Sequence, residues 1–375
     1  MKILIKQFMG KNHSWSVCGW NIATSLIKLG HDVQIFSTDG IEHLPNNLRP
    51  NLIGYIEENI PQKIYGKLPD KNPDCQISYT AMKNFPYYLN NCDKNRFGIW
   101  CYEWSGKNVL PTGFAKNYKF VDKLMPPSMH AKQVFLDSGI PEESIAIIPH
   151  GVSDEFINAK TIYKLNTNKR FKVLCNIAQP HIRKNIPGIF EAWGKAFNKK
   201  DDVVLVMKVV VKNTTTPSEV DFNYIYNSFK KKYPNHADVL IINKFIPNIS
   251  DLYRACNAYF SMSFAESFLI PALEALATNK IVLVGAVGGQ VDFCNENNSL
   301  LINGKNIRAN PKMMYWESKS NATVFEPDIN HAVEQLQFAF KNEIQLLNKF
   351  SNYFSEIRET YTWDNSVKKI LSYCK

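Results

Sequence analysis

Short apolar, β-branched runs alternate with helical patterns along nearly the whole chain, and the series starts twice. Lys2–Phe8 reads as a strand. Ile22, Ala23, Leu26, Ile27 and Leu29 then follow helical spacing, with Gly30 where a helix would stop and Val33–Ser37 as the next strand. After about residue 156 the pattern begins again with strand Phe171–Ile177, helix Asn185–Phe197, buried strand Val203–Val211 and helix Asn223–Tyr233. Strands Asp238–Asn243, Ala258–Ser261 and Lys280–Gly285 follow. Parallel neighbours need a long connection, so this order predicts parallel sheets joined by crossover helices. A chain of 375 residues has room for two such domains, each with its own core. The expected fold class is therefore α/β, with two Rossmann-like doubly wound domains facing a cleft. Residues 1–157 form the first, the polar stretch 158–170 is the linker, and 171–360 form the second. Ligands in such sheets sit outside the carboxyl ends of the strands, which makes a cleft the default site.

Composition removes several classes of function. At 45% hydrophobic and 13% aromatic, the chain is not a disordered one. A spanning helix needs about 20 apolar residues, and the most apolar run, Val203–Val211, is short and cut by Lys208. The stretch Met1–Met9 carries two lysines and no small-residue cleavage site, so no signal peptide is expected there and the chain is expected to be cytoplasmic. Eight cysteines lack any C-x-x-C spacing, so no metal site is expected and buried free thiols are. The formal charge is +10. Through Glu155 there are 16 basic and 15 acidic residues, so the excess belongs to the remainder. A basic half can attract phosphate, nucleic acid or an anionic membrane, or be simply a lysine-rich surface.

The stretch Ala265–Ala277, A-E-S-F-L-I-P-A-L-E-A-L-A, carries the most chemistry. Glu266 ends a strand-to-helix loop, and Pro271 suits the first turn of the next helix. The backbone N–H groups of Ser267, Phe268 and Leu269 precede that turn, where unpaired donors and the helix dipole favour an anion. Glu274 lies in the first turns of the same helix. Two carboxylates beside a phosphate-binding helix start repel the phosphate. They suit the hydroxyl-rich groups flanking it, a sugar on one side and a ribose on the other. Read alone, the pair fits equally a solvated loop acid and a dipole-favoured first-turn acid.

This segment resembles the Glu-x7-Glu signature of the retaining glycosyltransferases of the GT-B fold, whose usual form is E-G-F-G-L-P-x-L-E-A-M-A. Glu266, Phe268, Pro271, Leu273, Glu274, Ala275 and Ala277 match, whereas Ser267 and Leu269 replace the two glycines. Further segments agree in order: Val121–Ser128, Gly139-Ile-Pro, Ile147–Val152, Gly288-Gly289 with Asp292, and Tyr361-Thr-Trp363. The resemblance implies that residues 361–375 form a helix crossing back to the first domain. It also implies transfer of a hexose or related sugar from a UDP- or GDP-linked donor to a hydroxyl acceptor with retention, the acceptor being a glycan, a lipid-linked group or another alcohol. No cofactor is implied beyond the nucleotide sugar as co-substrate, and no metal, because fixed cations stabilise the leaving diphosphate.

The same resemblance assigns site residues. Glu266, Lys184 and Arg183 are the catalytic set. Lys184 matches a family lysine in the loop Gln179–Asn185, and Arg183 stands in for an arginine the family places earlier. Gly19, Ser267, Phe268, Leu269 and Glu274 form the donor-binding set, Gly19 answering to a glycine-rich turn in the first strand-to-helix loop. Ile99–Ser105 followed by Pro111 resembles a W-E-x-x-x-x-P variant at the acceptor side. There Glu103 would bind hydroxyls and Trp104 stack on a sugar, although an aromatic core strand with one exposed acid explains the same residues. The alternative function is a nucleic-acid-binding protein, or a transferase acting on DNA bases, using the basic second half. Against it, the clearest basic run, Lys230–Lys232, sits where a helix would end, and cations complement the dipole there. The first half is nearly neutral, so at most weak peripheral membrane contact is expected.

Overall fold

The computed structural model describes residues 1–10, 13–57, 64–210, 219–314 and 321–375. The chain divides into two compact units. The first comprises Met1–Tyr102, Lys107–Ser153 and Tyr361–Lys375, and the second comprises Glu103–Gly106 and Asp154–Thr360.

Among the described residues the first unit holds strands β1 (Lys2–Gln7), β2 (Asp32–Ser37), β3 (Leu52–Ile56), β4 (Ile64–Gly66), β5 (Cys75–Tyr79), β6 (Arg96–Ile99) and β7 (Lys123–Met125). They form one sheet in the order β4-β3-β2-β1-β5-β6-β7, parallel except for β3 with β4. Ile3, Leu4 and Ile5 of β1 and all of β5 are buried, as both-face coverage of a parallel sheet requires. The C-terminal helix Trp363–Leu371 belongs to this unit. Val367 and Ile370 face inward, Asp364 pairs with Lys28 of the helix Ser14–Lys28 at 2.7 Å, and Trp363 stacks on His150 at 5.5 Å. Gly151 permits the approach, since a Cβ there would lie 2.1 Å from Trp363 N.

In the second unit, β8 (Phe171–Ile177), β9 (Val203–Val209), β10 (Asp238–Ile242), β11 (Ala258–Phe260), β12 (Ile281–Gly285) and β13 (Leu300–Ile302) form a parallel sheet. Its order is β10-β9-β8-β11-β12-β13. An antiparallel hairpin, β14 (Gly304–Arg308) with β15 (Thr323–Pro327), follows. Val211, the last residue of the expected Val203–Val211 strand, lies outside the described residues. The expected linker 158–170 is not a separate segment. It counts with the second unit, where Thr161 Oγ1 donates to Asp251 at 2.6 Å and Tyr163 N to Asp251 O at 3.0 Å. The break falls at Ser153/Asp154 rather than after residue 157. Polarity marked the stretch as a linker, but its hydrogen bonds are made by those same polar groups. Among the described residues no helix is long and apolar enough to cross a membrane.

Candidate active site

The site in the second unit begins at the carboxyl end of β8. There a short 3-10 turn, Ile182–Lys184, is capped by His181, whose Nδ1 accepts from Arg183 N at 3.0 Å. Burial first, and then the charges of Arg183 and Lys184, lower the His181 pKa to about 3, so the ring stays neutral and free to accept. Asn185 follows in the left-handed conformation (φ 49°), and its side chain accepts from Gly188 N at 3.1 Å to start the helix Ile186–Ala196. That turn aims the two cations just before it. Asparagine tolerates this backbone better than most residues.

The second loop leaves β11 and enters the helix Ile270–Ala277. Leu269 caps that helix in the left-handed conformation (φ 68°), the position where the family motif has glycine, and Pro271 occupies the first turn. Gly289 holds the loop from behind. Its N–H donates to Glu266 O at 2.8 Å, and a Cβ there would fall 1.8 Å from Ser267 O.

The two loops bring Arg183, Lys184 and Glu266 together. Arg183 Nη1 lies 2.8 Å from Glu266 Oε2, and Lys184 Nζ lies 2.6 Å from Oε1. Arg183 Nη1 also donates to Ala265 O at 2.6 Å. Burial would raise the Glu266 pKa, but the two cations outweigh it and hold this carboxyl at about 2. Lys184 is pulled the other way: its burial lowers its pKa, and Glu266 opposes the shift. Glu274 is differently placed. Its carboxylate accepts from Tyr253 Oη at 2.7 Å, and that hydroxyl takes the amide of Asn176, from β8, at 2.9 Å. Burial pushes Glu274 up to about 7. Among the described residues no cluster of three His, Cys, Asp or Glu side chains is set to hold a metal ion. A cavity of about 880 Å³ reaches Asn185 and Phe264, but neither the cation pair nor the two glutamates line it.

Two expected placements change. Gly19 does not belong to a turn: the helix starts at Ser14, capped by His13, so Gly19 is an interior helix residue. A Cβ there would come within 2.1 Å of Gln7 Nε2, which makes its smallness a packing need. Trp104 is 1% exposed and offers no ring face for a sugar to stack on. Glu103 joins the second unit, where its Oε1 lies 3.7 Å from Arg183 Nη2 and burial raises its pKa. It thus faces the cation pair. Phe268 and Leu269 turn their side chains inward, Phe268 against Phe293 at 4.9 Å, which leaves backbone as what these two residues can offer a ligand. Sequence reasoning missed Asn176 and Tyr253. Each looks like an ordinary strand or helix residue, and only the fold joins them to Glu274.

The site is thus a buried carboxylate clasped by two cations on facing strand-end loops of a doubly wound sheet. The profile of the family described as glycosyl transferases group 1 matches residues 158–354. The chain belongs to that family and is a glycosyltransferase. Solved structures agree on the fold. HepE of Anabaena, determined with UDP and glucose, is 13% identical with a TM-score of 0.70, over 99% of this chain and 98% of that one. Sucrose-phosphate synthase of Thermosynechococcus elongatus is 12% identical with a TM-score of 0.69, over 99% and 97%. A glycosyltransferase of Rickettsia africae is 18% identical with a TM-score of 0.67, over 99% and 97%. The two parallel-sheet α/β domains are thus those of the GT-B fold. No curated protein sequence matches the chain.

Proposed function

We propose that this glycosyltransferase moves a hexose from a UDP- or GDP-linked donor to a hydroxyl acceptor, with retention of configuration and without a metal ion. The observation that carries the reading is the clasp of Glu266 by Arg183 and Lys184 at the mouth of the helix Ile270–Ala277. A donor diphosphate takes up N–H groups of both cations. Glu266 remains ionised, can only accept, and so receives hydroxyls of the donor sugar. As the bond from the anomeric carbon to the phosphate oxygen breaks, the leaving phosphate gains charge that the preorganised cations stabilise. The acceptor oxygen bonds to the anomeric carbon on the same face, and its proton passes to the departing phosphate oxygen. Glu274 holds the ribose hydroxyls. The UDP and glucose held by HepE support a uridine donor as the first to try.

The nucleic-acid alternative has less support. In the Lys230–Lys232 run, Lys232 pairs with Glu191 at 2.5 Å and Lys230 rests over the Tyr226 ring. Incubation with UDP-glucose or GDP-mannose and a simple alcohol or glycoside acceptor tests the proposal. The expected product is an α-glycoside by its anomeric NMR coupling, formed at an unchanged rate in a metal chelator. A β-product, or a rate abolished by the chelator, would overturn retention or metal independence respectively.

A further inference from the structure

Lys208 is a buried cation that the scheme above leaves unused. It interrupts β9, whose other six residues, Val203–Met207 and Val209, are all apolar, and it is only 6% exposed. Among the described residues no carboxylate pairs with it, and burial lowers its pKa. An ammonium in such a place is costly without a counterpart, and a purely structural role there is met as well by an apolar side chain. Its position gives it a use. Lys208 is the penultimate residue of β9 and stands in register with Asn176, the penultimate residue of β8. Residues in register on neighbouring strands share a sheet face. Asn176 is the residue whose amide donates to Tyr253, which in turn donates to Glu274.

The strand order sets the direction. Glu266 follows β11 and Lys184 follows β8, while β9 lies beyond β8 on the side away from β11. A donor with its sugar at Glu266 and its ribose at Glu274, on the chain of bonds from β8, extends its base toward β9. A lysine only donates hydrogen bonds. It complements the exocyclic carbonyl of uracil or guanine, and it does not complement the amino group that cytosine and adenine carry in the corresponding place.

We propose that Lys208 reads the donor's nucleobase by donating to that carbonyl oxygen, and so selects uridine or guanosine donors over cytidine or adenosine ones. The proposal rests on the transferase reading and adds base selection to the same site. Isothermal titration of the full chain with UDP, GDP, CDP and ADP tests it, comparing the unaltered protein with Lys208→Met and Lys208→Arg. The unaltered protein is expected to bind UDP at least about tenfold tighter than CDP, or GDP than ADP, the worth of one hydrogen bond to a charged donor. Lys208→Met should bring the favoured diphosphate down to the level of its amino counterpart and leave CDP and ADP within about twofold. Lys208→Arg should keep the ranking. Equal binding of all four by the unaltered protein overturns the proposal even if the Met variant fails to fold. A preference that survives Lys208→Met, or an equal loss for all four, which marks a phosphate contact, also overturns it. Failure of any diphosphate to bind would overturn the transferase reading itself and this inference with it.

Discussion

Glu266 and Glu274 belong to one loop-and-helix segment, yet the fold drives their acidities in opposite directions. Burial disfavours the charge of both. At Glu266, Arg183 and Lys184 overcome that penalty and hold the group at about 2. At Glu274 burial raises the group to about 7, opposed by the Tyr253 hydroxyl and aided by the charge of Glu155. The partners come from other loops, so the helix dipole that the two acids share does not decide their state. The first is a fixed anion and the second changes charge near neutral pH. The linkage follows. Glu266, depressed below its ordinary 4.5, contributes stability that is present above that value and lost as pH falls toward 2. Glu274, raised from the same 4.5, does the reverse: its contribution is most favourable below 4.5 and declines as pH rises through about 7.

The largest effect is expected on the clasp. Lys184→Ala should lower kcat/KM by about a hundredfold, as loss of one preorganised donor to a charge-gaining oxygen does, while UDP binding weakens by less. Turnover left intact would assign the whole task to Arg183. Glu266→Gln comes next, with kcat reduced about tenfold to a hundredfold through loss of a charged acceptor for the sugar. UDP itself should bind that variant at least as tightly as before, because the two cations no longer face the Glu266 anion. Weakened UDP binding with normal turnover would make Glu266 a nucleotide-holding residue and erase the distinction between the two acids.

Glu274→Gln should differ in kind. The ribose does not react, so donor KM and the Kd for UDP should rise together by about tenfold with kcat largely kept. At pH 8 the variant should be at least as thermally stable as the original, since it removes a partly buried charge. A fall in kcat alone, with KM unmoved, would mean that Glu274 acts on the reacting sugar.

Periodicity made the two sheets legible, because buried parallel strands and amphipathic crossovers write their period into the chain. The Glu266 loop was legible too, through the motif and through Pro271. Its partnership was not. Arg183 and Lys184 precede Glu266 by some eighty residues, and their approach is set by the capping of Asn185 and the β8–β11 pairing. Gly19 misled because a glycine near a helix start resembles a turn residue, whereas its neighbour Gln7 requires the missing Cβ. Trp104 misled because an aromatic beside an acid suits both a sugar platform and a core. Glu103 follows a strand of the first unit in sequence but makes its contacts in the second, and no local pattern records that.

The finest test of the comparison is Tyr253→Phe, which replaces neither acid and removes one hydrogen bond to Glu274. Tyr253 is fully buried, and phenylalanine fills the same space, so the core should hold. The variant loses the hydroxyl that donates to Glu274 at 2.7 Å. A hydrogen bond to the ionised form favours that form, so its removal should carry the Glu274 midpoint above its present value of about 7. With the ionised carboxylate as the better acceptor for ribose hydroxyls, donor affinity in the original protein rises as pH passes through that midpoint. In the variant the same rise should come later. Near pH 7 the donor KM should be a few-fold higher, the worth of about 1 kcal/mol. The gap should narrow at pH 9, where both proteins are more fully ionised, and kcat should scarcely change at either pH. A KM profile that keeps its midpoint after the substitution would show that Tyr253 does not set the charge of Glu274. A uniform loss at every pH would reduce the bond to a packing contact, and the raised pKa of Glu274 would then owe nothing to Tyr253, leaving burial and the charge of Glu155 against the cations at Glu266.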